Sequence, residues 1–125
     1  MKLFIFCVII TLLINTSCSE IDRSSNLVFK SYELELGTIK FDSTYYVRYT
    51  AYNFSRKKIN IDTITASCGC TVVSTNKKEI APGDSSIISI QFSPIDTGNF
   101  RKNIVIKSDG DSIFSVVYFA GHVCK

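Results

Sequence analysis

Hydrophobic residues follow different patterns in the two parts of the chain. Residues 3–14 form an apolar run that only Thr11 interrupts. From Leu27 onward, apolar and polar residues alternate with a period of two, and no stretch keeps the 3.6-residue period of an amphipathic helix. We therefore expect a short N-terminal segment that is distinct from the rest of the chain, followed by a domain built from β-strands.

The alternating part predicts about seven short strands with turns between them. Residues 88–92 alternate strictly, and residues 45–52 have one apolar face and one amphipathic face. Turn sequences separate such runs, for example Ala-Pro-Gly-Asp at residues 81–84, where proline fixes φ and glycine accepts a positive φ. Gly37 is expected to cause a break or a bulge in the first long strand. Strands of this spacing predict an antiparallel β-sandwich over residues 27–125.

Composition limits the classes of protein that this chain can represent. It has 125 residues, of which 46% are hydrophobic, and a formal net charge of +3. This length leaves room for one core and excludes a multidomain enzyme. The sequence has no second long apolar run, which excludes a polytopic membrane protein. The net charge is too small to indicate a nucleic-acid partner.

The N-terminal segment resembles an export signal. Lys2 supplies a positive charge before the apolar run, and small polar residues follow the run at positions 15–17. A helix over residues 3–14 would be roughly 18 Å long, which is short of the ~30 Å hydrocarbon core of a membrane. The sequence therefore favours a signal over a permanent membrane-spanning helix.

Cys18 predicts a lipid anchor, because it directly follows Ser17 in a way that resembles the lipobox of Bacteroidetes-type lipoproteins. In such proteins the signal is cut before a cysteine that carries acyl chains, and several chains hold a protein stably to a membrane. We expect residues 1–17 to be a lipoprotein signal peptide and residues 18–26 to be the lipidated cysteine with a polar tether. Plain secretory cleavage or an uncleaved anchor is the alternative.

Three cysteines of the predicted domain are the main candidates for chemistry: Cys68, Cys70 and Cys124. An odd number in an exported protein means that at least one is unpaired, metal-bound or joined to another molecule. We expect a disulfide between Cys68 and Cys70 to be strained, because cysteines separated by one residue do not easily reach the preferred Cα spacing of about 5.5 Å. Such a bond would be readily reduced and hence a redox site. Gly69 is expected to adopt a backbone angle that other residues avoid.

Other arrangements of these thiols remain open. In an immunoglobulin-type arrangement, the strand before Cys68 and the last strand run the same way, which would bring Cys124 and His122 to the same pole. A disulfide to Cys124 is one possibility. The set Cys68, Cys70, His122 and Cys124 is another, since three thiolates and an imidazole suit zinc and thiolates suit copper(I). A purely structural role for the thiols is the third and the most favoured, and no cofactor is expected.

No catalytic constellation is evident in the sequence. His122 is the only histidine, and no serine lies in a nucleophile motif. Acidic residues are scattered singly, and no glycine-rich phosphate loop follows a strand and begins a helix. We therefore expect a protein that is not an enzyme.

Several motifs together resemble a bacterial family, the domain of unknown function 1573. They are Ser-Cys-Gly-Cys-Thr at residues 67–71, Ile-Ala-Pro-Gly at 80–83, Phe-Ser-Pro at 92–94, Gly-Asn-Phe at 98–100 and a late Gly121. The resemblance covers about residues 32–123, and Cys124 is not part of it. It implies an immunoglobulin-like sandwich related to Hydin-type domains and the major sperm protein, often in Bacteroidetes lipoproteins, without an assigned activity.

Two functional hypotheses follow from these observations. The first is a non-catalytic binding or structural module in the cell envelope, lipid-anchored to the outer membrane, facing the periplasm or the surface. Its partners would be the membrane, through the anchor, and another envelope protein, for which strand addition at an exposed edge is the natural mode. The second is a thiol-based metal or redox site at Cys68-Gly69-Cys70.

Overall fold

A computed structural model describes residues 26–110 and 112–125. The predicted signal peptide and Cys18 lie outside the described residues. Within those residues the chain forms strands, turns and loops, and no helix there is long and apolar enough to cross a membrane.

Nine strands form two sheets that pack face to face. The four-stranded sheet has the order β1-β3-β7-β5, and the five-stranded sheet has the order β2-β9-β8-β4-β6. The strands are β1 (Leu27–Phe29), β2 (Glu33–Lys40), β3 (Tyr45–Asn53), β4 (Ile59–Ala66), β5 (Thr71–Thr75), β6 (Glu79–Ile80), β7 (Ser85–Phe92), β8 (Gly98–Ser108) and β9 (Phe114–Cys124). The predicted all-β sandwich is confirmed. The described residues hold two strands more than expected, since β1 and β6 are too short to produce a visible alternation.

The core lies between the two sheets and is built from the alternating apolar positions. In β7, for example, Ile88, Ile90 and Phe92 are buried, whereas the residues between them are less buried or exposed. Phe92 and Phe119 contact each other edge-to-face across the two sheets at 5.1 Å between ring centroids. β-branched side chains suit these pleated surfaces, and their burial supplies most of the driving force for folding.

The expected irregularities at two glycines are confirmed. Gly37 has φ of 68° and lies where the pairing of β2 with β9 shifts register, between Glu35 and Thr38. Gly83 has φ of 78° in the turn before β7. Both angles lie in the left-handed region that glycine adopts without steric cost. β2 lies at one edge of the five-stranded sheet and pairs with β9 in parallel, which corrects the expectation of a purely antiparallel sandwich.

The sandwich has two poles with different chemistry. The asparagine pole comprises Asn53 and the turn residues 54–58, 81–84, 109–110 and 112–113. The disulfide pole, at the opposite end of the strands, comprises the loop at residues 67–70 and its surroundings. β3 runs from one pole to the other, since Tyr45 pairs with Phe92 and Tyr52 pairs with Ser85.

Asn53 organises the asparagine pole. Its side chain is fully buried and makes four hydrogen bonds. Nδ2 donates to the carbonyls of Lys57 at 2.7 Å and Ile80 at 2.8 Å, while Oδ1 accepts from the backbone N–H and the hydroxyl of Ser55 at 3.0 and 2.6 Å. The backbone of Asn53 also bonds to Gly83 and Asp84. One amide therefore ties three segments of the chain together.

Candidate functional site at the disulfide pole

The loop between β4 and β5 contains a disulfide that joins Cys68 to Cys70. Their Cα atoms lie 5.3 Å apart, so the single intervening residue does not prevent the usual spacing, contrary to the expectation from the sequence. The alternative disulfide to Cys124 is not formed, and Cys124 carries a free thiol. The bond lies within one loop and joins no two strands.

Gly69 behaves differently from the expectation. Its φ does not lie in the left-handed region, which among the described glycines is occupied by Gly37, Gly83 and Gly98. A Cβ built on Gly69 would have no neighbour within 4 Å. The backbone here does not require glycine, and the space above the loop is open to solvent.

The side chain of Thr71 contacts both sulfur atoms of the disulfide. Its hydroxyl Oγ1 lies 3.6 Å from Cys68 Sγ and 3.7 Å from Cys70 Sγ. The backbone N–H of Thr71 donates to the carbonyl of Cys68 at 3.3 Å, and the N–H of Ser93 donates to the carbonyl of Cys70 at 3.0 Å. The loop is thus fixed to the start of β5 and to the end of β7, while both cysteines remain only half-buried.

A groove of about 450 Å³ lies next to this loop. Cys70 forms part of its wall, together with apolar side chains that include Ile95, Phe100 and Val123. Ile95 is exposed, with 67% of its surface accessible. Charged residues also line the groove, namely Asp96, Arg101 and Lys102. This concave surface combines apolar area, charge and a disulfide sulfur.

The alternative metal-binding set of Cys68, Cys70, His122 and Cys124 is not assembled among the described residues. Val123 points into the core, so His122 and Cys124, on either side of it in β9, lie on the outer face of the five-stranded sheet. Cys70, by contrast, packs against the core. His122 Nδ1 is hydrogen-bonded to Asn99 Oδ1 at 2.8 Å. No group of three or more potential metal ligands occurs within residues 26–110 and 112–125. The strands do run the same way, as expected, but the alternation of side chains separates the ligands.

The outer face of the five-stranded sheet carries a cluster that the sequence did not indicate. Arg101 Nε donates to Glu33 Oε1 at 3.0 Å, and its guanidinium lies 3.9 Å above the centre of the Tyr118 ring. The hydrogen bond and the positive charge of Arg101 lower the pKa of the Glu33 carboxyl. Both partners are exposed, so this cluster contributes little to stability. No local sequence signal could have indicated it, since Glu33 and Arg101 lie far apart in the chain.

Sequence comparison assigns the chain to a family. The family described as "Protein of unknown function (DUF1573)" matches residues 27–123. The chain belongs to the DUF1573 family. The resemblance inferred from the motifs is thereby confirmed for the family, whereas the lipoprotein segment stays a prediction. No curated protein matches the sequence significantly.

Solved structures show that the DUF1573 domain shares its fold with several others. A protein of unknown function from Porphyromonas gingivalis W83 has a TM-score of 0.71 at 14% identity, over 86% of this chain and 51% of that chain. This chain therefore spans about half the length of that protein. The PapD-like domain 7 (ASH / PapD-like) of human CEP192 has a TM-score of 0.67 at 9% identity, over 82% of this chain and 87% of that chain. WR4, an MSP family member from C. elegans, has a TM-score of 0.54 at 8% identity, over 82% of this chain and 100% of that one. At these identities the likeness establishes the immunoglobulin-like fold alone.

Proposed function

We propose that this DUF1573 protein is a non-catalytic binding module of the cell envelope, attached to the outer membrane through lipid on Cys18, and that the groove at the disulfide pole binds an envelope protein. One observation carries this proposal: the N-terminal end of the domain and the groove lie at opposite poles. Leu27 pairs with Asn53 at the asparagine pole, whereas Cys70 and Ile95 lie at the other end of the strands. A domain anchored by residues that precede Leu27 would present its groove away from the membrane.

The groove has the composition of a protein-binding surface. The groove combines an exposed apolar residue, Ile95, with the aromatic side chains of Phe92 and Phe100 and with charged groups. Such a mixture of an apolar centre and a polar rim characterises protein interfaces. Strand addition is a second way for the same partner to bind, since β5 pairs with β7 alone and its other side has no strand partner among the described residues.

The anchor is tested by changing Cys18→Ser and comparing it with Cys7→Ser as a matched control. We expect the protein with serine at position 18 to leave the membrane fraction and to lose its acyl chains in mass spectrometry, whereas the control keeps both. Retention of acylation without Cys18 would overturn the lipid anchor.

The groove is tested with a photo-crosslinking amino acid placed at position 95 and, as a control, at position 113. Ile95 and Ile113 are similarly exposed, with 67% and 55% of their surfaces accessible, but they lie at opposite poles. In intact cells we expect a crosslink to one envelope protein from position 95 and none from position 113. The same yield from both positions, or no crosslink from position 95, would contradict groove binding.

A thiol-based function is the second candidate, and the disulfide beside the groove favours its redox form. Its metal form has no support in the described residues, where the four proposed ligands do not come together.

A further inference from the structure

We propose that the Cys68–Cys70 disulfide oxidises a pair of thiols in a protein segment bound in the neighbouring groove. This inference goes beyond binding and rests on the redox candidate named above. The substrate class is a protein or peptide with two free cysteines, and the product is that segment with one disulfide.

The position of the bond does not suit a structural role. It closes a loop of three residues within a single connection, so it restricts the unfolded chain much less than a bond between distant strands would. It is also accessible from outside, because both cysteines are half-buried and the space above Gly69 is open. A disulfide that is accessible and adds little to stability is suited to exchange.

The two sulfur atoms have different surroundings. Cys70 lines the groove and Cys68 is not among the lining residues. A thiolate held in the groove therefore meets Cys70 Sγ first, and Cys68 Sγ becomes the leaving group. The hydroxyl of Thr71 lies 3.6 Å from Cys68 Sγ and is placed to donate a hydrogen bond to the thiolate that forms there.

Lys102 supplies a positive charge to the groove. Arg101 and Asp96 also line the groove, and Arg101 is paired with Glu33. A nearby cation stabilises the thiolate form of an incoming cysteine, and the thiolate is the form that attacks a disulfide.

The reaction balances in two steps. The first substrate thiolate forms a bond to Cys70 Sγ, the bond between Cys70 and Cys68 breaks, and its electron pair goes to Cys68 Sγ, which takes a proton. The second substrate thiolate then attacks the first substrate sulfur and displaces Cys70 Sγ as a thiolate, which also takes a proton. Two substrate thiols are oxidised to one disulfide, and one protein disulfide is reduced to two thiols.

The transfer is tested with the oxidised protein and an unstructured peptide that carries two cysteines. Samples are quenched with acid, alkylated and analysed by mass spectrometry. We expect one peptide disulfide for each Cys68–Cys70 bond that is reduced, at a rate at least about tenfold above that of oxidised glutathione at equal concentration. A rate equal to or below that of glutathione would overturn the proposal.

The direction of attack is tested on the wild-type protein with a peptide that carries a single cysteine. Rapid quenching and fragmentation mass spectrometry locate the mixed disulfide, which we expect on Cys70. A mixed disulfide mainly on Cys68 would contradict the assigned roles of the two sulfurs.

The role of Thr71 is tested with Thr71→Val and, as the conservative control, Thr71→Ser. We expect the valine variant to react about fivefold more slowly and the serine variant to react at the wild-type rate, because only a hydroxyl stabilises the leaving thiolate. Thermal unfolding of both variants separates this effect from loss of structure. Equal rates for valine and serine would remove Thr71 from the mechanism.

The experiments distinguish a failure of groove binding from a failure of disulfide transfer. In the variant Cys68→Ser/Cys70→Ser, crosslinking from position 95 reports on groove binding alone. A crosslink without disulfide transfer in the wild type would overturn the redox inference and leave binding intact. Transfer to the peptide without any crosslink in cells would contradict the binding module and support the redox site.

Discussion

The two poles of the sandwich use side-chain chemistry in opposite ways. At the asparagine pole, the fully buried amide of Asn53 has a partner for each of its four hydrogen bonds, three in the turn that follows β3 and one at Ile80 in β6. At the disulfide pole, Cys68 and Cys70 are half-buried, and their sulfur atoms bond to each other and contact the hydroxyl of Thr71. The first arrangement fixes the fold, whereas the second leaves an accessible disulfide beside an open groove.

This difference separates a structural centre of the fold from the proposed functional site. A buried polar group with all its partners is costly to disturb, because each lost bond leaves a carbonyl or an N–H unpaired inside the protein. A bond within one exposed loop can change without disturbing the core. The following predictions test the contrast, beginning with the largest expected effect.

Changing Asn53→Asp should destabilise the protein by about 3 kcal/mol or more, because it replaces two donated hydrogen bonds with a buried charge facing two carbonyls. Chemical denaturation measures this change. Asn99→Asp is the matched control, since Asn99 is exposed at the disulfide pole, and we expect a change below about 0.5 kcal/mol there. Similar losses in both variants would remove the contrast between the poles.

Gly121→Ala should cost about 2 kcal/mol, because an added Cβ would lie 2.7 Å from the carbonyl oxygen of Gly37 and 3.0 Å from the Phe100 ring. Gly69→Ala, in the disulfide loop, should cost less than about 0.5 kcal/mol, since nothing lies within 4 Å of the new atom. Thermal unfolding of the pair measures the difference. A larger loss at Gly69 would mean that the loop is a rigid part of the fold.

Reduction of the Cys68–Cys70 bond should lower the free energy of unfolding by about 1.5 kcal/mol, because the loop that it closes is short. Denaturation with and without a reductant tests this value, and Cys68→Ser/Cys70→Ser serves as the control that no longer responds to reductant. A loss as large as that of Asn53→Asp would make the disulfide a structural element.

Alkaline pH should lower the free energy of unfolding through Tyr49, which lies between the poles. Tyr49 lies in the middle of β3, and its hydroxyl donates to the carbonyl of Tyr118. Burial, and to a lesser extent the negative charge of Glu33, raises the pKa of Tyr49 to about 12. The unfolded chain loses this proton near pH 10, so stability should fall as the pH rises from 10 to 12. In Tyr49→Phe this part of the pH dependence should disappear, as measured by denaturation at each pH.

The sequence predicted most of the fold because alternation is a local signal. Inward residues such as Ile88 and Ile90 stand at every second position, and the turn at Gly83 has its own local chemistry. The contacts of Asn53 are not local, since one of its acceptors belongs to Ile80. An asparagine at the end of a strand is therefore indistinguishable in sequence from an ordinary turn residue.

The candidate site was predicted only in part for a similar reason. The Cys-Gly-Cys motif identified the loop, in which Cys68 and Cys70 form a disulfide, whereas Cys124 lies apart from it with a free thiol. Spacing along the chain did not reveal that Cys68 and Cys70 reach a Cα separation of 5.3 Å, nor that Thr71 contacts both sulfurs. The groove combines the β7–β8 connection with residues of β8 and β9, so it exists only after the strands have assembled.

The parallel pairing of β2 with β9 sets the order in which the protein can fold. In β2, Glu33 pairs with Tyr118 and Leu34 pairs with Phe119, both of which belong to β9. The second strand therefore has no pairing partner until the last strand has formed. Contacts between the two ends of a chain close slowly, because a long segment must be ordered before they form. During synthesis from the N terminus, the hairpin of β8 and β9 would be completed last, and β2 would pair with β9 at the same time. The five-stranded sheet therefore forms its parallel edge only when synthesis of the domain is complete.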